Sequence, residues 1–173
     1  AYNNVLEGNK RENIRLSVIN NYLLKKSPFY LFKEQFIGNP SCTLIRKDPS
    51  IRYDIRLKWV VDFDYYIRYF LKHKTYFYIY EPLVNVGLNE DQVTKYTFRN
   101  PEVELPENHL LIEKYGTQIL RNIFVYDYYW RLYRNLNIRS INDVKKYYSG
   151  IIPNALKSII SFQSHISGGI LHI

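Results

Sequence analysis

The chain has 173 residues, 46% hydrophobic and 23% charged, which is the composition of a folded domain with its own core. Its single cysteine, Cys42, excludes an internal disulfide and a cysteine zinc cluster. The net charge of +8 favours anionic partners, yet the basic residues are scattered, and the absence of a five-residue basic block argues against a dedicated nucleic-acid tail.

Eighteen tyrosines, nine phenylalanines and two tryptophans give an aromatic content of 17%. Tyrosine joins an apolar ring to a polar tip, so it suits half-wet surfaces such as sugar clefts, and it also fills crowded cores. The chain begins at Ala1 and contains no methionine, so it is expected to be a piece of a longer protein. No apolar run reaches transmembrane length, and a lone cysteine fits a reducing compartment, so a cytoplasmic location is expected.

In chain order, residues 1–9 are expected as a loop. Ile14, Val18, Ile19, Leu23 and Leu24 fall at helical spacing and predict a helix over 11–26. Ser27-Pro28 ends it and opens a short second helix to about Phe36. Ile37 to Ser41 predicts a turn, and Cys42 to Arg46 a short strand. Trp59, Phe63, Tyr66, Ile67 and Phe70 form one stripe and predict a helix over 58–72. Thr75–Tyr80 and Leu83–Leu88 read as strands around Glu81-Pro82, and residues 89–106 as a polar loop. From Pro106 to Leu136 the pattern is helical with a break at Gly116. Ser140 to Asp143 reads as a helix start, and a last helix is expected from Asn154 to about Ser164. The first hundred residues are thus mixed α and β, and the rest mostly helix.

Three pieces in a fixed order resemble the second half of family 2 glycosyltransferases with the GT-A fold. Ile37-Gly38-Asn39-Pro40-Ser41-Cys42-Thr43-Leu44-Ile45-Arg46-Lys47 is similar to the family's Pro-Ser segment and the strand after it. Trp59-Val60-Val61-Asp62-Phe63-Asp64-Tyr65-Tyr66-Ile67-Arg68 resembles the acidic pair that opens a helix with an arginine downstream. Tyr78 to Gly87, containing Glu81-Pro82-Leu83-Val84, followed by Gln92-Val93-Thr94, resembles the strand pair and loop that come next. Together they span about residues 37–95. Val61 stands where the family carries a glutamate, which puts the second carboxylate's role in question.

The resemblance implies a partial GT-A fold, of α/β class or α+β as a fragment. Residues 1–100 would form the acceptor-side half of that domain and 101–173 a helical extension. The family moves a sugar from a nucleotide diphosphate sugar to an acceptor hydroxyl with inversion, in bacterial surface polysaccharide or glycolipid synthesis. The divalent metal (Mg²⁺ or Mn²⁺) and the nucleotide would be held mainly by the half that precedes these residues, so this chain alone is expected to be inactive. Lipid-linked acceptors in the family imply peripheral association with the inner face of the plasma membrane. No nucleic acid is expected, and a homodimer is a further expectation.

On this reading Asp62 is the candidate general base, because the attacking hydroxyl must lose a proton to a carboxylate within hydrogen-bond reach. A helix N-terminus would lower its pKa, so neighbours must offset that effect. The alternative is a plain helix-terminal charge. Asp62-Phe63-Asp64 is not expected to hold the metal, since residues i and i+2 on a helix diverge; Asp64 is placed to pair with Arg68, and both are candidates to bind substrate. Asn39, Pro40 and Ser41 are candidates to line the acceptor cleft, with a plain turn as the alternative. Trp59 is a candidate sugar-stacking ring or a core residue. Asn89 and Gln92 belong to a loop expected to fold over the diphosphate, with a plain solvated loop as the alternative. His73, His109, His165 and His172 lack metal-ligand spacing, and Cys42 is expected to be buried and inert.

Arginines and aromatics interleave over Asn122–Arg134, which fits nucleic acid, a membrane surface or a helix with one face in the core. Lys157 is the one Lys, Arg, Asp or Glu from Ile151 to Ile173, so this segment is expected on a bilayer or in a dimer interface. A non-catalytic module binding carbohydrate or a membrane surface is the alternative function.

Overall fold

Asn3, Asn13 and Asn85 stand in one row across three strands, joined side chain to side chain at 3.0 Å on either side of Asn3. The strands are β1 (Tyr2–Val5), β2 (Arg11–Ile14) and β3 (Val84–Gly87), in the order β2-β1-β3. β1 runs antiparallel to β2, pairing Tyr2 with Ile14, and parallel to β3, pairing Tyr2 with Val84. The structure, a computed structural model, describes residues 1–5, 11–87 and 97–169, with side chains through His165. Among these the chain is mixed α and β, with this one small sheet and six α-helices.

The described chain divides into two compact units, residues 1–55 with 61–96, and residues 56–60 with 97–173. In the first, α1 (Val18–Lys26) starts later than its apolar spacing predicts. Ser17 caps it, accepting from the Asn20 backbone N–H, so residues 11–14 are released to the sheet. Lys25 and Lys26 fall in the last turn, where cations suit the helix dipole. A 3₁₀ turn over Pro28–Phe32 follows at once. Leu24, Leu31, Phe32 and Ile51 form the core with one face of α2 (Val61–Lys72), and Phe32 meets Phe63 edge-on at 4.7 Å.

The expected strand over Cys42–Arg46 is replaced by a 3₁₀ turn, Pro40–Cys42, and irregular chain. Gln35 shapes the approach: its Oε1 accepts from the Ile37 and Gly38 backbones and its Nε2 donates to Gly38 O. Gly38 has φ +96°, and a Cβ there would lie 2.7 Å from the Tyr2 ring, so glycine is required twice over. The expected strand over Thr75–Tyr80 has no ladder partner among the described residues either. Side chains hold this stretch instead: Tyr76 OH donates to Asn21 O and Oδ1, and Tyr78 OH accepts from the Leu16 backbone.

The second unit is built on α3 (Pro101–Tyr115), α4 (Ile123–Asn135), α5 (Ile141–Lys145) and α6 (Asn154–Gly169). α3 begins five residues before Pro106, the start expected from sequence, because Asn100 caps it and Pro101 occupies the first helical position, where no N–H is needed. Gly116, at φ +80°, ends it. Ser140 and Asp143 form a complete capping box at the head of α5. Val125, Tyr129, Leu132 and Tyr133 turn one face of α4 into the core, which settles the role of that face in the Arg- and aromatic-rich segment. Leu156, Ile159 and Ile160 of α6 are buried, and Gln163 donates to Trp130 O on α4. The apolar side of α6 up to Gln163 is therefore used inside the unit.

Tyrosines packed into this unit keep their hydroxyls bonded. Tyr129 donates to Asn108 O, Tyr128 to Asn108 Oδ1, and Tyr133 OH meets His109 Nε2 at 3.1 Å. His109 stacks on Tyr148 at 4.3 Å, and Tyr148 OH reaches Glu113. Glu107 accepts from three consecutive backbone N–H groups, those of Lys58, Trp59 and Val60, at 2.8 to 3.0 Å. This is why the helix predicted from Lys58 starts at Val61: the N–H groups just ahead of it are turned to a carboxylate. No helix among the described residues is long and apolar enough to cross a membrane.

Candidate functional site

The acidic helix head divides its two aspartates between different tasks. Both lie in the first turn of α2. Asp64 is fully buried, and Arg68, one turn on, brings Nε and Nη2 to its Oδ2 at 2.8 Å each. Arg68 Nη2 also donates to Arg52 O at 2.7 Å. Asp64 and Arg68 are thus committed to holding the Arg52 segment against the helix.

Asp62 is half-buried and makes no side-chain hydrogen bond or ion pair among the described residues. The helix terminus favours its charged form, but burial outweighs that, and its pKa is raised from the ordinary aspartate value. A carboxylate pushed in this direction holds a proton more readily than a free one.

Tyr65 and Tyr66 follow Asp62 at i+3 and i+4, so the three share one side of α2. Tyr66 is buried, and its OH lies 3.4 Å from Thr43 Oγ1, which in turn donates to Pro40 O at 2.8 Å. The Pro40 turn and the head of α2 are joined through these hydroxyls. Burial raises the Tyr66 pKa, and the Asp62 charge adds to it. Tyr53 stacks on Tyr65 with centroids 4.5 Å apart. Its pKa also rises, first from burial and then from the charge on Asp62. Asp62, Tyr53, Tyr66 and Thr43 therefore form one cluster of a carboxylate and three hydroxyls.

Of the residues expected from sequence, Asp62 lies in this cluster. Asn39, Pro40 and Ser41 are exposed on the adjoining turn, where Thr43, not these three, makes the contact to α2. Trp59 precedes the helix, within the second unit, and packs against Phe98 at 6.1 Å. Asn89 and Gln92 lie outside the described residues. Cys42 is half-buried on the turn, not buried on a strand. Tyr53, Tyr66 and Thr43 were not singled out by the sequence. Tyr66 carried a readable signal in its i+4 spacing from Asp62, whereas Tyr53 carried none.

At the other end of α2, Asp48 accepts from Lys72 Nζ, His73 Nε2 and the Ser50 backbone and hydroxyl, at 2.7 to 2.9 Å. These bonds, that from Lys72 first, hold its carboxyl well below the usual range. It is a clamp on the helix end and leaves no carboxylate oxygen idle for chemistry. A metal ion does not fit the acidic helix head, because Asp64 is occupied by Arg68 and Asp62 is a single ligand. Among the described residues no group of three or more His, Cys, Asp or Glu side chains comes together. No family model, curated protein or solved structure matches this chain.

Proposed function

We propose that this chain supplies the acceptor side of an inverting family 2 glycosyltransferase, with residues 1–100 as part of a GT-A domain and 101–173 as its helical extension. One observation carries the reading: the aspartate that the motif run singles out is the half-buried, unpartnered carboxylate of the α2 head, while its neighbour Asp64 is locked to Arg68. Such a group is suited to accept a proton, and leaving it unpaired gains nothing for the fold.

In the reaction, an acceptor hydroxyl oxygen bonds to the anomeric carbon of the donor sugar. The bond from that carbon to the diphosphate oxygen breaks, and the diphosphate leaves with the electron pair. The hydroxyl proton passes to Asp62. Attack opposite the leaving group inverts the anomeric centre. The Mg²⁺ or Mn²⁺ ion and the nucleotide belong to protein outside the described residues, and the step assigned here is proton removal alone.

The acceptor is a sugar or lipid-linked sugar of bacterial surface polysaccharide or glycolipid synthesis, and the location cytoplasmic, at the inner face of the membrane. A non-catalytic carbohydrate-binding module is the second reading; it would bind saccharide at the same residues and transfer no sugar. The test is to express the full reading frame that encodes these residues, supply nucleotide sugars and saccharide acceptors, and read the new linkage by NMR. Inverted anomeric configuration is expected. A retained configuration, or no transfer from any nucleotide sugar, contradicts the proposal.

A further inference from the structure

Tyr53 is an aromatic ring held still and left open. It keeps 48% of its surface exposed although its ring stacks on Tyr65 at 4.5 Å and 30°. Tyr65 is itself buried and is backed by Tyr69, nearly parallel at 6.1 Å. One face of Tyr53 is thus covered by Tyr65, while about half of the residue's surface stays open to solvent. An apolar face kept in water costs stability, and a stacked ring loses the freedom to turn away.

The surroundings select what that face would take. The C–H face of a pyranose is apolar and flat, and its rim of hydroxyls needs hydrogen-bond partners. Asp62 shares a side of α2 with Tyr65, placing an acceptor of hydroxyl protons next to the ring, and Thr43 and Tyr66 bring further hydroxyls. The Asp62 charge disfavours a phosphate or other anion in the same place. We infer that the open face of Tyr53 is a stacking platform for a neutral pyranose ring, the acceptor sugar, seated beside Asp62. That the sugar is the acceptor rests on the function proposed above; the stacking itself stands independently of Asp62 acting as a base.

The test is to titrate the chain, ¹³C-labelled at tyrosine, with methyl β-glucopyranoside, methyl β-galactopyranoside and methyl α-mannopyranoside. Glycerol is the control for hydroxyls without a ring face, and uridine the control for nucleobase stacking. Tyr53 ring signals should shift with at least one pyranoside, whose C–H protons move upfield, and should stay in place with glycerol. Tyr53→Phe should retain binding, and Tyr53→Ala should weaken it by ~2- to 10-fold. If Tyr53→Ala does not fold, by near-ultraviolet circular dichroism, the labelled unsubstituted chain decides. No Tyr53 shift with any pyranoside, an equal shift with glycerol, or a shift with uridine alone overturns the inference. A silent Tyr53 alongside an Asp62→Asn enzyme that has lost transfer defeats only this inference. A responsive Tyr53 alongside an Asp62→Asn enzyme that still transfers defeats only the proposed function.

Discussion

Arg68 grips Asp64 through two nitrogens, Nε and Nη2, each 2.8 Å from the same carboxylate oxygen. Because this pair forms inside the helix, the aspartate two residues earlier is left without a counter-ion among the described residues. The division of labour in the Asp62-Phe63-Asp64 string follows from helix geometry: positions i and i+4 meet, and positions i and i+2 do not.

Stability should therefore respond oppositely to the two aspartates. Asp64→Ala leaves Arg68 unpaired beside a buried site and should cost about 3 kcal/mol of unfolding free energy, with Arg68 partly solvated and the loss reduced accordingly. Asp62→Ala removes a desolvated charge with no partner and should be neutral or stabilising. Urea unfolding of the two variants checks this. A larger loss at Asp62 than at Asp64 would contradict the assignment.

The second unit should lose stability on mild acidification through His109. This ring is buried between Tyr133 and Tyr148 with Glu113 nearby, and burial brings its pKa down to about 4 from 6.5. Below pH 6.5 the unfolded chain takes up a proton that the folded chain refuses. Stability present above that value is lost as pH falls toward 4, by up to about 3 kcal/mol. The lowered carboxyl pKa values of Asp48 and Asp143 act in a lower window, below the ordinary aspartate value. Unfolding midpoints across this range should slope down in the unsubstituted chain and less so in His109→Gln, which keeps a partner for Tyr133. Equal slopes would show that His109 is not the group responsible.

Local signals carried the helices well. The apolar stripe through Phe63, Ile67 and Phe70 marked α2, and Ser140 with Asp143 marked the head of α5, because a helix declares itself through neighbours three and four residues apart. The strands were harder. β1 and β2 are four residues long and rich in asparagine, a poor strand former, and they are sustained by the cross-strand row Asn13-Asn3-Asn85 that no local pattern reveals. The β-branched and aromatic run over Thr75–Tyr80 misled in the other direction, since its tyrosines serve as tethers to α1 and its approach instead of ladder residues. At the candidate site, the sequence pointed to Asp62 through its position at a helix head, but the ring that lies over Tyr65 comes from twelve residues earlier in the chain and had no signature of its own.

The most direct test of the account is the single-turnover transfer rate of Asp62→Asn in the full reading frame, measured beside its affinity for the nucleotide sugar. Asparagine keeps the shape and cannot take the proton, so the rate should fall by at least ~10²-fold while donor affinity is unchanged. Near-normal transfer by Asp62→Asn would contradict the account.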